Sequence, residues 1–204
     1  RGVRLGILLP ELYRMQVKAI IKASISVYGK NQKEFPPEIM LPMVSSFKEV
    51  NLLKKLIDDV VAEITKEFNF PINYKLGVMV ETPRAALKAG ELAVISSFLS
   101  FGTNDLTQMT YGLSRDDSGT FMRDYLEKGI FPVDPFRSLD LDGVGELLKI
   151  ASKKSRAANP SIKIGICGEH GGDPESIDFC KKIGLDFVSC SPFRVPIARI
   201  AAAQ

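Results

Sequence analysis

Five short runs rich in apolar and β-branched residues, at 38–44 (EIMLPMV), 75–81 (KLGVMVE), 97–102 (with FLSFG at its centre), 162–168 (IKIGICG) and 186–190 (DFVSC), are separated by amphipathic stretches. This alternation constrains the fold more than any other feature of the chain. Strands that alternate with helix-length segments pair in parallel, because a parallel neighbour needs a long crossover connection. Each run is nearly continuous in apolar residues, as expected of a strand buried on both faces. The fold class is therefore α/β. Closing an eight-stranded barrel would take about three more strands. Nothing before residue 38 supplies them, so the edges of a five-strand sheet are expected to stay unpaired.

Helix ends are legible between the runs. Ser46 and Glu49 form a capping box ahead of Leu53, Ile57, Val60, Ile64 and Phe68, whose spacing makes one buried stripe. Thr82-Pro83 and Asp173-Pro174 each set a cap residue before a proline at the first helical position, and Gly184 is placed to end the second of these helices. Weaker helical patterns cover 11–27, 143–157 and 195–203. The stretch 101–142 reads as a long connection with one short helix near 121–127, and connections of that length inside compact domains are usually functional.

The chain has 204 residues, 45% of them hydrophobic, which suits one domain or part of one. Charged residues make up 25% and the net charge is +3, so electrostatics ask for neither a nucleic-acid nor a membrane partner. Three cysteines without CxxC spacing fit neither a disulfide framework nor a zinc site and point to a reducing, intracellular compartment. No apolar run approaches the roughly 20 residues of a membrane span, and residues 1–20 lack a signal-peptide pattern. A cytoplasmic protein is expected, with an organelle open if a targeting segment was removed upstream; Arg1 at the first position suggests a fragment or a processed chain.

Polar residues gather where the strands end. Glu81, Asn104-Asp105, Cys167-Gly168-Glu169 and Ser191 fall at or just past C-terminal strand ends, where barrels and open α/β sheets alike build their sites. Glu81 and Asp105 can hold magnesium or manganese and leave positions for substrate oxygens and water; the competing reading is that each caps the helix after its strand. Asn104 offers an amide to orient a carbonyl or phosphoryl oxygen. Cys167, between Gly165 and Gly168, is either a thiol that exchanges a proton with a substrate carbon or a small buried apolar residue. Cys180 and Cys190 read as core. His170, the only histidine, lies in a Gly-rich loop, where shaping the site is as good a reading as direct chemistry and a phosphocarrier role is disfavoured. Arg1 and Arg115 are candidate clamps for phosphate or carboxylate, against an ordinary surface role.

Four segments, in order, carry a family resemblance: 77–87 (GVMVETPRAAL), 100–117 (SFGTNDLTQMTYGLSRDD), 165–172 (GICGEHGG) and 189–204 (SCSPFRVPIARIAAAQ). On these the chain resembles the C-terminal part of the pyruvate phosphate dikinases, from the opening RGVRLG to the terminus. Phosphoenolpyruvate synthase and enzyme I of the sugar phosphotransferase system share the barrel and the VET and GTNDLTQ elements. The Glu-His-Gly-Gly after Cys167 and the Arg115-Asp116-Asp117 segment look like the dikinase rather than either relative. The resemblance implies that residues 1–204 are the C-terminal portion of a phosphoenolpyruvate/pyruvate-binding domain. Its fold is then a partial (β/α)8 TIM-type barrel with about five βα units. Upstream strands, further active-site arginines, a phosphohistidine domain and an ATP-grasp domain would lie outside the chain.

It also implies a reaction, in which ATP, phosphate and pyruvate give AMP, diphosphate and phosphoenolpyruvate. A phosphohistidine on a separate domain passes its phosphoryl group to the enolate oxygen of pyruvate. Carried over residue by residue, Glu81 and Asp105 match the ligands of a Mg²⁺ cofactor, and Gly102, Thr103, Asn104, Asp105, Glu81 and Arg1 match the substrate-binding set. Cys167 matches the acid/base at the methyl carbon, Arg1 a phosphoryl-binding arginine, and Arg115 the arginine that follows the Asn-Asp pair. The implied partners are pyruvate or phosphoenolpyruvate, the phosphohistidine domain of the same parent chain and a second copy in a homodimer. The isolated chain is expected not to complete the reaction. A different class of function, an inert assembly or dimer module using the apolar segment 197–203, is the alternative to a transferase domain.

Overall fold

The computed structural model describes residues 1–204. Five strands, β1 (Glu38–Leu41), β2 (Lys75–Val80), β3 (Phe98–Gly102), β4 (Lys163–Cys167) and β5 (Phe187–Val188), form one sheet in the order β1-β2-β3-β4-β5, and every pair is parallel. Sequential order distinguishes this sheet from a doubly wound one, whose strand order reverses at a switch point, and makes it a segment of a (β/α) barrel. The barrel is partial: β1 pairs only with β2, and β5 only with β4.

The helices, in chain order, are α1 (Val3–Leu8), α2 (Pro10–Tyr28), α3 (Phe47–Phe68), α4 (Pro83–Leu87), α5 (Ala89–Ile95), α6 (Thr103–Tyr111), α7 (Arg115–Ser118), α8 (Met122–Glu127), α9 (Val144–Ala158), α10 (Pro174–Lys182) and α11 (Val195–Ala203). α3 shows why the local sequence dictates its element. Its capping box is complete, with the Ser46 hydroxyl accepting from Glu49 N and the Glu49 carboxylate accepting from Ser46 N, and Asn69 closes the far end in the left-handed conformation. Val50, Leu53, Ile57, Val60, Val61 and Ile64 make the buried stripe; Phe68, at its end, is exposed. Thr82 and Asp173 cap α4 and α10 through their side chains, and Gly184, at φ 75°, takes the turn after α10. None of the helices is long and apolar enough to cross a membrane.

Two expectations need correction. The strands are not all buried on both faces; only β3 is buried throughout, and β1 alternates exposed and buried residues. Ile39, Leu41, Leu76, Val78, Val80, Leu99, Phe101, Ile164 and Ile166 form the core against the helices. The opposite face of the sheet carries Met40, Gly77, Met79, Ser100, Gly165 and Phe187, and side chains of this face are its own cover. Gly77 lies under the Phe98 ring and Gly165 under the Phe187 ring, each pair in cross-strand register; an added Cβ would meet the ring at 2.1 and 2.2 Å. The second correction concerns 101–142, which holds three helices rather than one. α6 escapes propensity reasoning because it opens on Thr103-Asn104-Asp105, residues that favour turns, yet Thr103, Leu106 and Thr107 bury one side of it. Similarly α1 has no side-chain cap and starts from Gly2 at φ 63°.

The expected outcome of Ser46→Ala is a loss of about 1 kcal/mol in stability, read from urea unfolding, with Ser46→Asp close to the parent.

Candidate functional site at the C-terminal strand ends

Parallel register decides which side chains meet. One step beyond the pairs Val80↔Phe101 and Phe101↔Ile166, Glu81, Gly102 and Cys167 come level at the C-terminal edge of the sheet. Glu81 follows β2 directly and is 7% exposed. Its Oε1 accepts a 2.6 Å hydrogen bond from Met43 N, which ties it to the segment after β1, where Met43 sits at φ 54°. Its other oxygen fills the space that Gly102 leaves: a Cβ there would lie 2.6 Å from Glu81 Oε2. Glu81 does not cap the following helix, which Thr82 does, and α6 has no side-chain cap, so the capping readings of Glu81 and Asp105 fall away.

Asp105 stands in the first turn of α6 with its carboxyl toward Glu81. Its Oδ1 accepts from Arg1 Nη2 at 2.9 Å and from Gln108 Nε2 at 3.0 Å. Gln108 Oε1 in turn accepts from Arg115 N at 2.9 Å. Arg115 itself is exposed at the rim, one residue removed from the carboxylates, and its guanidinium has no carboxylate partner. Burial pushes the Glu81 carboxyl up from 4.5 to about 7; the Met43 amide opposes this, the neighbouring Asp105 charge adds to it, and Arg1 draws it back a little.

Cys167 ends β4 half-buried, its Sγ 3.4 Å from the Phe101 carbonyl and 3.5 Å from Met79 Sδ. Burial raises the affinity of this thiol for its proton, with the Ser100 hydrogen bond opposing and the Glu81 charge reinforcing the shift. Asn104 Oδ1 faces Glu169 N at 3.5 Å and lies 3.1 Å from where a Cβ of Gly168 would stand; Gly168 is at φ 90°, so this close approach of backbone to amide needs glycine. Cys180 is core as expected, but Cys190 is only partly buried because β5 ends at Val188. His170 is fully buried with both ring nitrogens engaged, by the Thr103 hydroxyl and the Pro135 carbonyl. That leaves no free nitrogen for a phosphoryl group.

Of the candidate residues, Arg1, Glu81, Gly102, Thr103, Asn104, Asp105 and Cys167 come together, and Arg115 joins through Gln108. Gln108 and Met79 are the neighbours that sequence reasoning missed. The i,i+3 spacing of Asp105 and Gln108 would have revealed the former had 103–111 been read as a helix. No group of three or more His, Cys, Asp or Glu is arranged to hold a metal ion. The donor set for a cation is two carboxyls sharing one space, one of them short of compensating positive charge, which fits a hard ion that keeps much of its water.

The family described as PEP-utilising enzyme, PEP-binding domain, matches residues 1–204. A chloroplastic pyruvate, phosphate dikinase of Mesembryanthemum crystallinum is 55% identical over all of this chain and 21% of its own length, and a pyruvate, phosphate dikinase of Clostridium symbiosum is 50% identical over all of this chain and 23% of its own. The chain thus spans about a fifth of these relatives. A solved citrate lyase from Burkholderia xenovorans superposes with a TM-score of 0.55 over 81% of this chain and 48% of that one, at 15% identity, a likeness of fold alone.

The raised Glu81 carboxyl makes the folded chain hold a proton that the unfolded chain has released between pH 4.5 and about 7. Glu81 therefore adds stability that is complete at low pH and is lost as pH rises through about 7. In a chelating buffer, the urea midpoint is expected to fall as pH rises from 4.5 to about 7, and Glu81→Gln to flatten that fall; equal slopes would contradict the raised Glu81 carboxyl.

Proposed function

The chain belongs to the PEP-binding domain family of PEP-utilising enzymes, and from that premise we propose that it is the part of a pyruvate, phosphate dikinase that binds pyruvate or phosphoenolpyruvate. The whole reaction, ATP, phosphate and pyruvate to AMP, diphosphate and phosphoenolpyruvate, belongs on this reading to the longer polypeptide, whose phosphohistidine domain delivers the phosphoryl group. The dikinase is preferred over enzyme I and phosphoenolpyruvate synthase by relatives 50–55% identical over the entire chain. One observation carries the reading: the facing carboxyls of Glu81 and Asp105 and the Cys167 thiol gather at the C-terminal edge of the sheet.

Glu81 and Asp105 would hold Mg²⁺, which when bound offsets the negative charge that develops on an enolate and on a transferring phosphoryl group. The protein's own groups do the rest. Arg1, already paired with Asp105, has an exposed guanidinium free to turn toward an incoming phosphoryl group, and Arg115 stands at the rim for the same purpose. Asn104, with the backbone of Gly102 and Thr103 at the start of α6, would line the position of the substrate oxygens, the Thr103 hydroxyl being turned inward to His170 and the Cys167 carbonyl. Cys167 holds the proton that moves to or from the methyl carbon. Its burial keeps the thiol protonated at neutral pH, ready to donate to an enolate carbon and form pyruvate; in the reverse direction the Cys167 thiolate would take the methyl proton, becoming the thiol and leaving the enolate oxygen to take the phosphoryl group.

A homodimer contact through α11 and the turn just before it is also proposed, supported by the exposed apolar side chains Phe193, Val195, Ile197 and Ile200. Ile197→Glu/Ile200→Glu is expected to leave a monomer in sedimentation where the parent dimerises.

Calorimetric titration with oxalate, an enolate mimic, tests the site. Mg²⁺-dependent binding is expected, and Glu81→Ala/Asp105→Ala should abolish it. Cys167→Ala should still bind oxalate but lose deuterium exchange at the pyruvate methyl group. Binding indifferent to Mg²⁺ or to the double substitution would refute the assignment, and its absence in a folded chain would leave the assembly role.

A further inference from the structure

His170 is wholly buried yet takes no direct part in the proposed chemistry. Its Nε2 lies 2.9 Å from the Pro135 carbonyl oxygen, and its Nδ1 lies 2.6 Å from Thr103 Oγ1. Thr103 Oγ1 is also 3.1 Å from the Cys167 carbonyl. The hydrogen count limits what these contacts can be. A carbonyl only accepts, so Nε2 carries a proton. The Thr103 hydroxyl has one proton and faces two possible acceptors, Nδ1 and the Cys167 carbonyl. Either the ring is neutral and Nδ1 receives that proton across the shorter contact, or the ring is cationic, Nδ1 donates to the hydroxyl oxygen and the hydroxyl donates to the Cys167 carbonyl.

We propose that His170 is a positioning residue, a neutral Nε2-protonated imidazole whose Nδ1 accepts from Thr103 and so fixes the Asn104-Asp105 turn of α6 against the loop carbonyl of Pro135. Burial supports the neutral ring as the largest influence; the Pro135 carbonyl, Asp173 and Glu169 act against it and Arg115 with it. The tie joins three segments that must agree for the site to form. They are the first turn of α6, with Asn104 and Asp105; the connection through Pro135; and the Glu169–Gly172 turn that follows Cys167. The same turn is held from the other side by Arg194, which bonds the Glu169 carbonyl at 3.1 Å and its carboxylate at 3.2 Å. What is positioned rests on the proposed function; the bond itself does not.

As the only histidine, His170 gives a single imidazole signature in the nitrogen-15 NMR spectrum of the full chain labelled in histidine. A protonated Nε2 and an unprotonated, hydrogen-bonded Nδ1 are expected at neutral pH. His170→Leu should move the Asn104 and Asp105 amide resonances and weaken Mg²⁺-oxalate binding about tenfold, or about 1.4 kcal/mol. His170→Gln, whose amide supplies one donor and one acceptor, should restore both to near the parent. A cationic ring or a protonated Nδ1 at neutral pH would overturn the proposal, as would a leucine variant with unmoved amides. If the leucine variant fails to fold, the tautomer and the glutamine variant decide. If the parent chain binds no oxalate, the proposed function falls while the imidazole and amide spectra still decide the tie.

Discussion

The site depends on a parallel register with a glycine in its middle strand. Because β2, β3 and β4 pair without a bulge, Glu81, Gly102 and Cys167 arrive at one level. Because the middle one is glycine, the carboxyl from one neighbour can occupy the space above it. A side chain at position 102 would push Glu81 off the Met43 amide and away from Asp105. The buried stripe of α3 and the helix-facing residues of the strands matter to function mainly because they hold that register.

Electrostatically, the edge of the sheet is built around a deficit. Two carboxyls face one another, with the Arg1 guanidinium bonded to Asp105 and the Met43 backbone amide bonded to Glu81. Burial of Glu81 outweighs that compensation, and a proton on Glu81 is the charge balance that the protein can supply alone. A cation is the other. The thiol two strands away responds to the same deficit, since the negative charge of Glu81 adds to burial in keeping it protonated. Neutralising the carboxyls would therefore also ease ionisation of Cys167, which couples charge at the end of β2 to the state of the thiol at the end of β4.

Much of this was legible in the amino-acid sequence, for identifiable reasons. Strand positions followed from apolar runs, α3 from its capping box and stripe, and α4 and α10 from a cap residue before proline. The strand-end location of Glu81, Asn104, Asp105 and Cys167 followed from the same runs. What stayed hidden was set by tertiary contact. α6 is a helix because Leu106 and Thr107 are buried, not because its residues favour one, so Gln108 went unnoticed beside Asp105. The inner face of the sheet looked apolar in sequence, whereas its packing rests on two aromatic rings lying over two glycines. The engagement of both His170 nitrogens required knowing that Pro135, 35 positions away, turns its carbonyl toward the ring.

Those two ring-over-glycine pairs carry a consequence for how the chain can drift in evolution. Gly77 with Phe98, and Gly165 with Phe187, each fill one fixed volume shared between adjacent strands. Enlarging either glycine without shrinking its ring would force the strands apart, and shrinking the buried Phe98 ring alone would open a void over Gly77. Gly77 and Phe98 are therefore free to change only together, and Gly165 can enlarge only where Phe187 has shrunk. Homologous chains should show compensated exchanges at 77 with 98 and at 165 with 187, a covariation that has its origin in space rather than in chemistry.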